Sequence, residues 1–186
     1  MTSAERGRSR TIHLLLTSKL VICKYPISPV TDAGAHPLED AMTDIFVNLP
    51  TADLERSKAF YMALGCELNP LFTDENAACV VWDENIYFMV LTREFFATFT
   101  DKEVADPRTT AQALTGLSRP SREEVDAVLA AGIAAGGVEP RPAQDYGFMY
   151  SRDLEDPDGN VLEFLYMDPQ AATQGPEAYL AEQAQQ

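Results

Sequence analysis

Apolar and polar positions alternate along Asp44-Ile45-Phe46-Val47-Asn48-Leu49. This predicts a strand with Ile45, Val47 and Leu49 on one face and Asp44, Phe46 and Asn48 on the other. Pro50 is expected to end it, because proline cannot donate to a ladder. Leu54, Ser57, Phe60, Tyr61 and Leu64 then recur at helical spacing. Asp53 stands where an N-cap belongs and Gly65 where a C′ glycine belongs. Residues 66–72, 77–82 and 86–91 read as strands, with turns at Asn76 and at Asp83-Glu84-Asn85. Residues 93–99 read as a short helix carrying Phe95, Phe96 and Phe99.

The order then repeats. Residues 110–118 read as a strand, interrupted by Gly116. Ser121-Arg122-Glu123-Glu124 has the form of a capping box. Val125, Val128, Leu129 and Ile133 form the apolar stripe of the helix it opens, and Gly136-Gly137 stops that helix. Further strands are expected around residues 138–139, 147–154 and 161–167, and a short helix at 177–182. The chain thus reads β-α-β-β-β twice, with helices about 68 residues apart. The repeat is one of pattern rather than of residue identity, and implies an α+β fold of two similar modules.

Residues 1–41 have a different texture. Arg6, Arg8 and Arg10 precede an apolar stretch, which is the outline of a signal peptide. His13 and Lys19 interrupt that stretch, and no small-x-small cleavage site follows. We therefore read residues 1–41 as a poorly ordered extension, 42–168 as the folded domain and 169–186 as a polar tail.

Composition narrows the functions on offer. Five Lys and Arg face four Asp and Glu in residues 1–41, leaving nine against 25 in the remainder. So acidic a domain repels phosphate backbones and anionic membranes, which argues against nucleic-acid and membrane partners. Three cysteines with no CxxC spacing suit neither a disulfide scaffold nor a structural zinc site. A reduced, cytoplasmic setting is expected. Both histidines, His13 and His36, lie in the N-terminal segment, so the domain has none. Cys66 and Cys79 fall within strands and have no histidine to activate them.

One stretch carries candidate chemistry. Asp156-Pro157-Asp158-Gly159-Asn160 reads as a tight turn, and Val161-Leu162-Glu163-Phe164-Leu165-Tyr166-Met167 as the strand it feeds. Glu163 is one carboxylate among six apolar residues. An unpaired charge there is costly, so it calls for a metal, a donor, a cation or a proton. Arg152, on the neighbouring strand, is the cation expected to pair with it. Three roles stay open for Glu163: a structural carboxylate, a metal ligand, or a metal-free acid, base or ligand anchor.

Two motifs together resemble the glyoxalase/bleomycin-resistance/dioxygenase superfamily, also called vicinal oxygen chelate proteins. Asn48-Leu49-Pro50, Asp53-Leu54-Glu55-Arg56-Ser57, Phe60-Tyr61 and Leu64-Gly65 resemble its first strand and helix. Asp156-Pro157-Asp158-Gly159-Asn160-Val161-Leu162-Glu163-Phe164 resembles its closing hairpin. Asp74-Glu75-Asn76-Ala77-Ala78 and Gly147-Phe148-Met149-Tyr150 are similar to a bacterial lactoylglutathione-lyase-like subgroup.

The resemblance implies paired βαβββ modules forming a curved mixed sheet around a cleft, in a homodimer. It also implies a divalent metal held by His, Glu or Gln from four strands. Carried over one at a time, the ligand positions fall on Phe46, near Met89, near Leu114 with Gln112 as the near alternative, and on Glu163. Only Glu163 matches; phenylalanine cannot ligate, and methionine is too soft for hard divalent sites. The expectation is therefore a small-molecule-binding protein without a metal cofactor, with Glu163 as its acid. Phe46, Asn48, Tyr87, Met89, Gln112, Leu114, Tyr150 and Arg152 are its candidate ligand contacts. The alternative is a divalent-metal-dependent, lactoylglutathione-lyase-like enzyme with Glu163 as ligand or base.

Overall fold

The structure, a computed structural model, describes residues 43–111 and 113–185. The N-terminal extension and Gln112 lie outside the described residues. Two four-stranded sheets form the frame. The first holds β1 (Ile45–Thr51), β2 (Glu67–Asn69), β3 (Ala77–Asp83) and β4 (Ile86–Thr92) in the order β1-β4-β3-β2. The helix α1 (Leu54–Ala63) connects β1 to β2, and α2 (Arg93–Phe96) follows β4. The second sheet holds β5 (Leu114–Ser118), β6 (Gln144–Asp145), β7 (Met149–Glu155) and β8 (Val161–Met167) in the order β5-β8-β7-β6. Its helix is α3 (Arg122–Ala134). In each sheet the first strand runs parallel to the last and the other pairs are antiparallel. This is the βαβββ pattern, present twice. The tail folds into α4 (Pro169–Gln174) and α5 (Pro176–Gln183). No helix among the described residues is long and apolar enough to cross a membrane.

Local chemistry explains the helix ends. Asp53 accepts from the Arg56 amide and Ser121 from the Glu124 amide, so each caps its helix as expected. Gly65 closes α1 with φ +93°, a conformation that costs other residues energy.

Several boundaries differ from the sequence reading. β1 runs through Pro50 to Thr51, because it is an edge strand and proline's missing donor costs it no pairing on the outer side. Residues 70–72 leave the expected strand as a 3₁₀ turn capped by Asn69. β5 begins at Leu114 rather than at residue 110. Val138 makes only an isolated bridge to Glu155, and the sixth strand lies at Gln144–Asp145.

The core lies on the helix side of both sheets. Phe60 and Tyr61 of α1, Val80 of β3 and Phe88 and Val90 of β4 join Val125 and Leu129 of α3 and Leu154, Leu162 and Phe164 of the second sheet. Trp82 stacks on Phe164 with ring centroids 5.7 Å apart, linking the two sheets. Gly137 marks a close contact between the modules: a Cβ there would come within 2.8 Å of the Glu155 carbonyl and 2.9 Å of Phe60 of α1. The modules therefore share one core.

Candidate functional site

The Asp156–Asn160 turn is a clamp before it is anything else. The Asp156 carboxylate accepts from the Asp158 and Asn160 amides, from Asn160 Nδ2 and from the buried Tyr61 hydroxyl of α1. Asp158 accepts from the Thr51 and Ser57 hydroxyls at 2.6 and 3.1 Å, from the Ala52 amide at 3.0 Å and from Arg56 at 3.0 Å. One turn thus binds the second module to the start of α1. Burial pushes the Asp156 carboxyl up, against the pull of its hydrogen bonds. Burial also acts to raise Asp158, but the donors from Thr51, Ala52 and Ser57 and the Arg56 charge win, and its carboxyl lies below the ordinary range. Burial raises the Tyr61 hydroxyl, helped by the negative Asp156 beside it, so Tyr61 remains a donor.

The expected site residues fall on three different surfaces. Alternation along the strands places Phe46, Asn48, Tyr87 and Met89 on the face of the first sheet away from its helix. Phe46 stacks on Tyr87 at 4.9 Å, and Asn48 is opposite Met89 in register. The Tyr87 hydroxyl donates to the Glu84 carbonyl, and Met89 is buried.

Leu114 and Glu163 lie on the corresponding face of the second sheet, and Leu114 is exposed. Glu163 is half-buried and makes no hydrogen bond or ion pair among the described residues. Its ladder neighbours are Gly116 on β5 and Asp153 on β7. A Cβ at Gly116 would stand 3.8 Å from Glu163 Oε2, so the missing side chain leaves room beside the carboxylate.

Tyr150 and Arg152 occupy the helix side instead. The Tyr150 hydroxyl donates to Asp126 of α3, while Arg152 binds Asp126 and, through Nε and Nη2, Glu139. The expectation that Arg152 pairs with Glu163 is therefore corrected: consecutive strand residues point to opposite faces, and Arg152 faces Phe164 in register. The cation near Glu163 is Arg141, which sequence reasoning missed. Its Nε pairs with Asp153 Oδ2, and the charges of Asp153 and Glu163 both raise the guanidinium. Asp153 is buried, and its Oδ1 has no hydrogen-bond partner among the described residues. Arg141 lies in a stretch without regular pattern, so only the fold reveals this trio.

Between the modules is a cleft of about 610 Å³. Consecutive β1 residues Val47, Asn48, Leu49 and Pro50 form one wall. Ala113 and Thr115 at the start of the second sheet, Gly159 and Asn160 of the turn and Val161 and Leu162 of β8 line the cleft as well. Residues between Phe96 and Ala111 line the rest. Of the expected contacts among the described residues only Asn48 lines this space, while Glu163 lies one ladder step beyond Val161 on the same face.

The metal that the fold family implies does not fit these residues. The implied positions hold Phe46, Met89, Leu114 and Glu163, and no group of three or more His, Cys, Asp or Glu able to hold an ion occurs among the described residues. Burial pushes the Cys66 thiol up to about 12, against a downward pull from Arg119, which leaves it protonated and unreactive.

Comparison with known proteins agrees with the architecture. The family model described as bleomycin resistance protein-like N-terminal matches residues 44–82. A hypothetical protein from S. aureus superposes with a TM-score of 0.58 at 21% identity, over 68% of this chain and 94% of its own. A glyoxalase/bleomycin resistance protein/dioxygenase family enzyme from Burkholderia phytofirmans gives 0.56 at 19% identity, over 66% and 96%. A lactoylglutathione lyase from Agrobacterium tumefaciens gives 0.52 at 17% identity, over 73% and 97%. No curated protein matches the sequence. The chain has the fold of the glyoxalase/bleomycin-resistance/dioxygenase superfamily.

Proposed function

We propose that this chain, with its glyoxalase/bleomycin-resistance-like fold, binds a small molecule in the cleft between its modules, without a divalent metal. The observation that carries the reading is the cleft itself. Its volume of about 610 Å³ lies within the range of drug-sized ligand sites. Val47, Leu49, Phe96, Val104 and Leu162 offer apolar contact, and Asn48, Thr110, Thr115 and Asn160 supply a few groups able to orient a ligand. That mixture is typical of small-molecule pockets.

The test is a titration with the dye anilinonaphthalene sulfonate, comparing the wild type with Ala113→Trp, whose indole fills the cleft from its wall. Saturable binding that falls at least about tenfold in the variant is expected, because the ligand loses most of its buried area. Equal binding by both proteins would overturn the reading. Metal analysis completes it: the purified protein is expected to carry no stoichiometric Ni, Zn, Mn or Co after soaking. Stoichiometric metal that disappears in Glu163→Gln would establish the metal-dependent alternative instead.

One observation supports a second, metal-free reading as an enzyme. Glu163 has no hydrogen-bond or ion-pair partner among the described residues, and its ladder neighbour Gly116 puts no side chain against it. A carboxylate so placed can accept a proton from a bound molecule. Under that reading Glu163→Gln abolishes turnover while leaving dye binding intact.

A further inference from the structure

The segment from Thr100 to Ala111 joins the two modules and lines the cleft with Thr100, Lys102, Glu103, Val104, Ala105, Pro107, Thr110 and Ala111. It contains no strand or helix beyond one hydrogen-bonded turn, in which Thr109 and Thr110 donate to the Asp106 carbonyl. Its hydrogen bonds and ion pairs to the rest of the domain, among the described residues, run through two arginines. Arg93, in the short helix after β4, donates through Nη1 and Nη2 to the Val104 and Ala105 carbonyls at 2.8 to 3.2 Å. Arg108, within the segment, reaches the Pro157 carbonyl at 3.4 Å and Asp158 at 4.0 Å. Its backbone also lies on Gly159, where a Cβ would meet the Arg108 amide at 2.9 Å. The segment is thus fastened at two points near its middle, and cleft-lining residues lie on both sides of them.

Two further facts bear on what such a segment does. Among the described residues, Lys102 and Glu103 are the only charged side chains lining the cleft, and both belong to this segment. Neither has a side-chain hydrogen bond or ion pair among the described residues. Backbone that is tied by few contacts opens at low cost, unlike core strands.

We infer that residues 100–111 are a strap that lifts to admit the cleft's ligand and then closes over it, with Arg93 as the latch and Lys102 and Glu103 as its charge-selecting contacts. The inference rests on the cleft being the binding site. The physical logic is simple. The Arg93 clamp is a set of three charge-assisted hydrogen bonds to two carbonyls at a partly exposed site, strong enough to favour closure and weak enough to be broken thermally. Opening exposes the Val104 and Ala105 carbonyls to water, which satisfies them. Lifting the strap therefore leaves no polar group stranded.

The experiment compares the full-length wild type with Arg93→Ala, after circular dichroism confirms that the variant is folded. Trypsin cleavage at Lys102 and Arg108 is expected to quicken about tenfold, since the latch's hydrogen bonds no longer oppose opening. Stopped-flow binding of anilinonaphthalene sulfonate is expected to show association and dissociation both about tenfold faster, with Kd moving less than either rate. Unchanged cleavage and unchanged rates in a folded Arg93→Ala overturn the strap. A loss of affinity without faster association also overturns it, because a fixed wall would behave that way. Should Arg93→Ala fail to fold, hydrogen exchange on the wild type decides the matter. Strap amides exchanging well before those of β4 and β8 support the inference, and simultaneous exchange overturns it. Cleavage needs no ligand, so a failed strap and a failed cleft reading give different results.

Discussion

The first sheet turns Phe46, Asn48, Tyr87 and Met89 away from its helix, and the second turns Leu114, Gly116, Asp153 and Glu163 the same way. The topology is shared but the chemistry is not. The first face is aromatic and apolar, with Tyr87 and Met89 buried. The second carries the neighbouring carboxylates of Asp153, which is buried, and Glu163, with Glu155 further along β7 and the Arg141 guanidinium on Asp153. A repeated fold element thus sets where side chains point, without deciding what they do there. The shared core on the helix side is apolar in both modules, so the frame tolerates this divergence.

Substitutions that exchange the two characters should be unequal in cost. Met89→Glu places an uncompensated charge in a buried site, and a loss of about 3–5 kcal/mol is expected in urea denaturation. A loss below about 1 kcal/mol would show that the first face is wetter than its burial implies. The clamp between the modules comes next. Asp158→Ala removes an acceptor from Thr51, Ala52, Ser57 and Arg56, and is expected to cost about 3 kcal/mol. An equal loss in the melting of both sheets, followed by hydrogen exchange, would confirm that the clamp serves the two modules together.

Acid should expose the same clamp. The Asp158 carboxyl is depressed in the folded state, so its contribution is present above the ordinary carboxylate pKa and lost as pH falls through its lower folded value. Asp156 is raised, so its contribution runs the opposite way and is lost as pH rises through its folded value. Melting temperatures taken from about pH 3 to pH 7 should show a shallower acid limb in Asp158→Asn than in the wild type. An unchanged acid limb would assign acid sensitivity to other carboxylates. The smallest effect belongs to the second face. Glu163→Met removes a half-buried carboxylate that makes no hydrogen bond or ion pair among the described residues and feels Arg141 only at longer range, and stability should change by less than about 1 kcal/mol. A large loss would mean that Glu163 has a structural partner.

Much of the frame was legible from the chain because its signals are local. Asp53 and Ser121 cap helices by bonding amides three residues away, and Gly65 takes the conformation its neighbours leave to it. Glu163 stood out because a lone carboxylate breaks an apolar strand. The partners of these residues were less legible, since they depend on register. Arg152 is adjacent to the strand position opposite Glu163, and a shift of one residue reverses the face. Arg141 reaches Asp153 from an irregular segment, and Arg93 holds backbone carbonyls, which carry no side-chain signature. β6 spans only two residues, too few for periodicity to show. The cleft was foreseen between the modules, but its lining was not, because the connector supplies so much of it.

The acceptor that Thr51 uses lies 107 residues further along the chain, on Asp158. Ribosomes add about 5–20 residues per second. The first module therefore emerges several seconds before the carboxylate that closes its helix start. During that interval the Thr51 and Ser57 hydroxyls have each other and the Asp53 backbone but lack the Asp158 carboxylate, and the apolar side of the first sheet has no second module to cover it. The nascent chain is at its most vulnerable then, and a folding helper would find its substrate in that window. A message slowed between the two modules should aggregate more than one slowed after the turn.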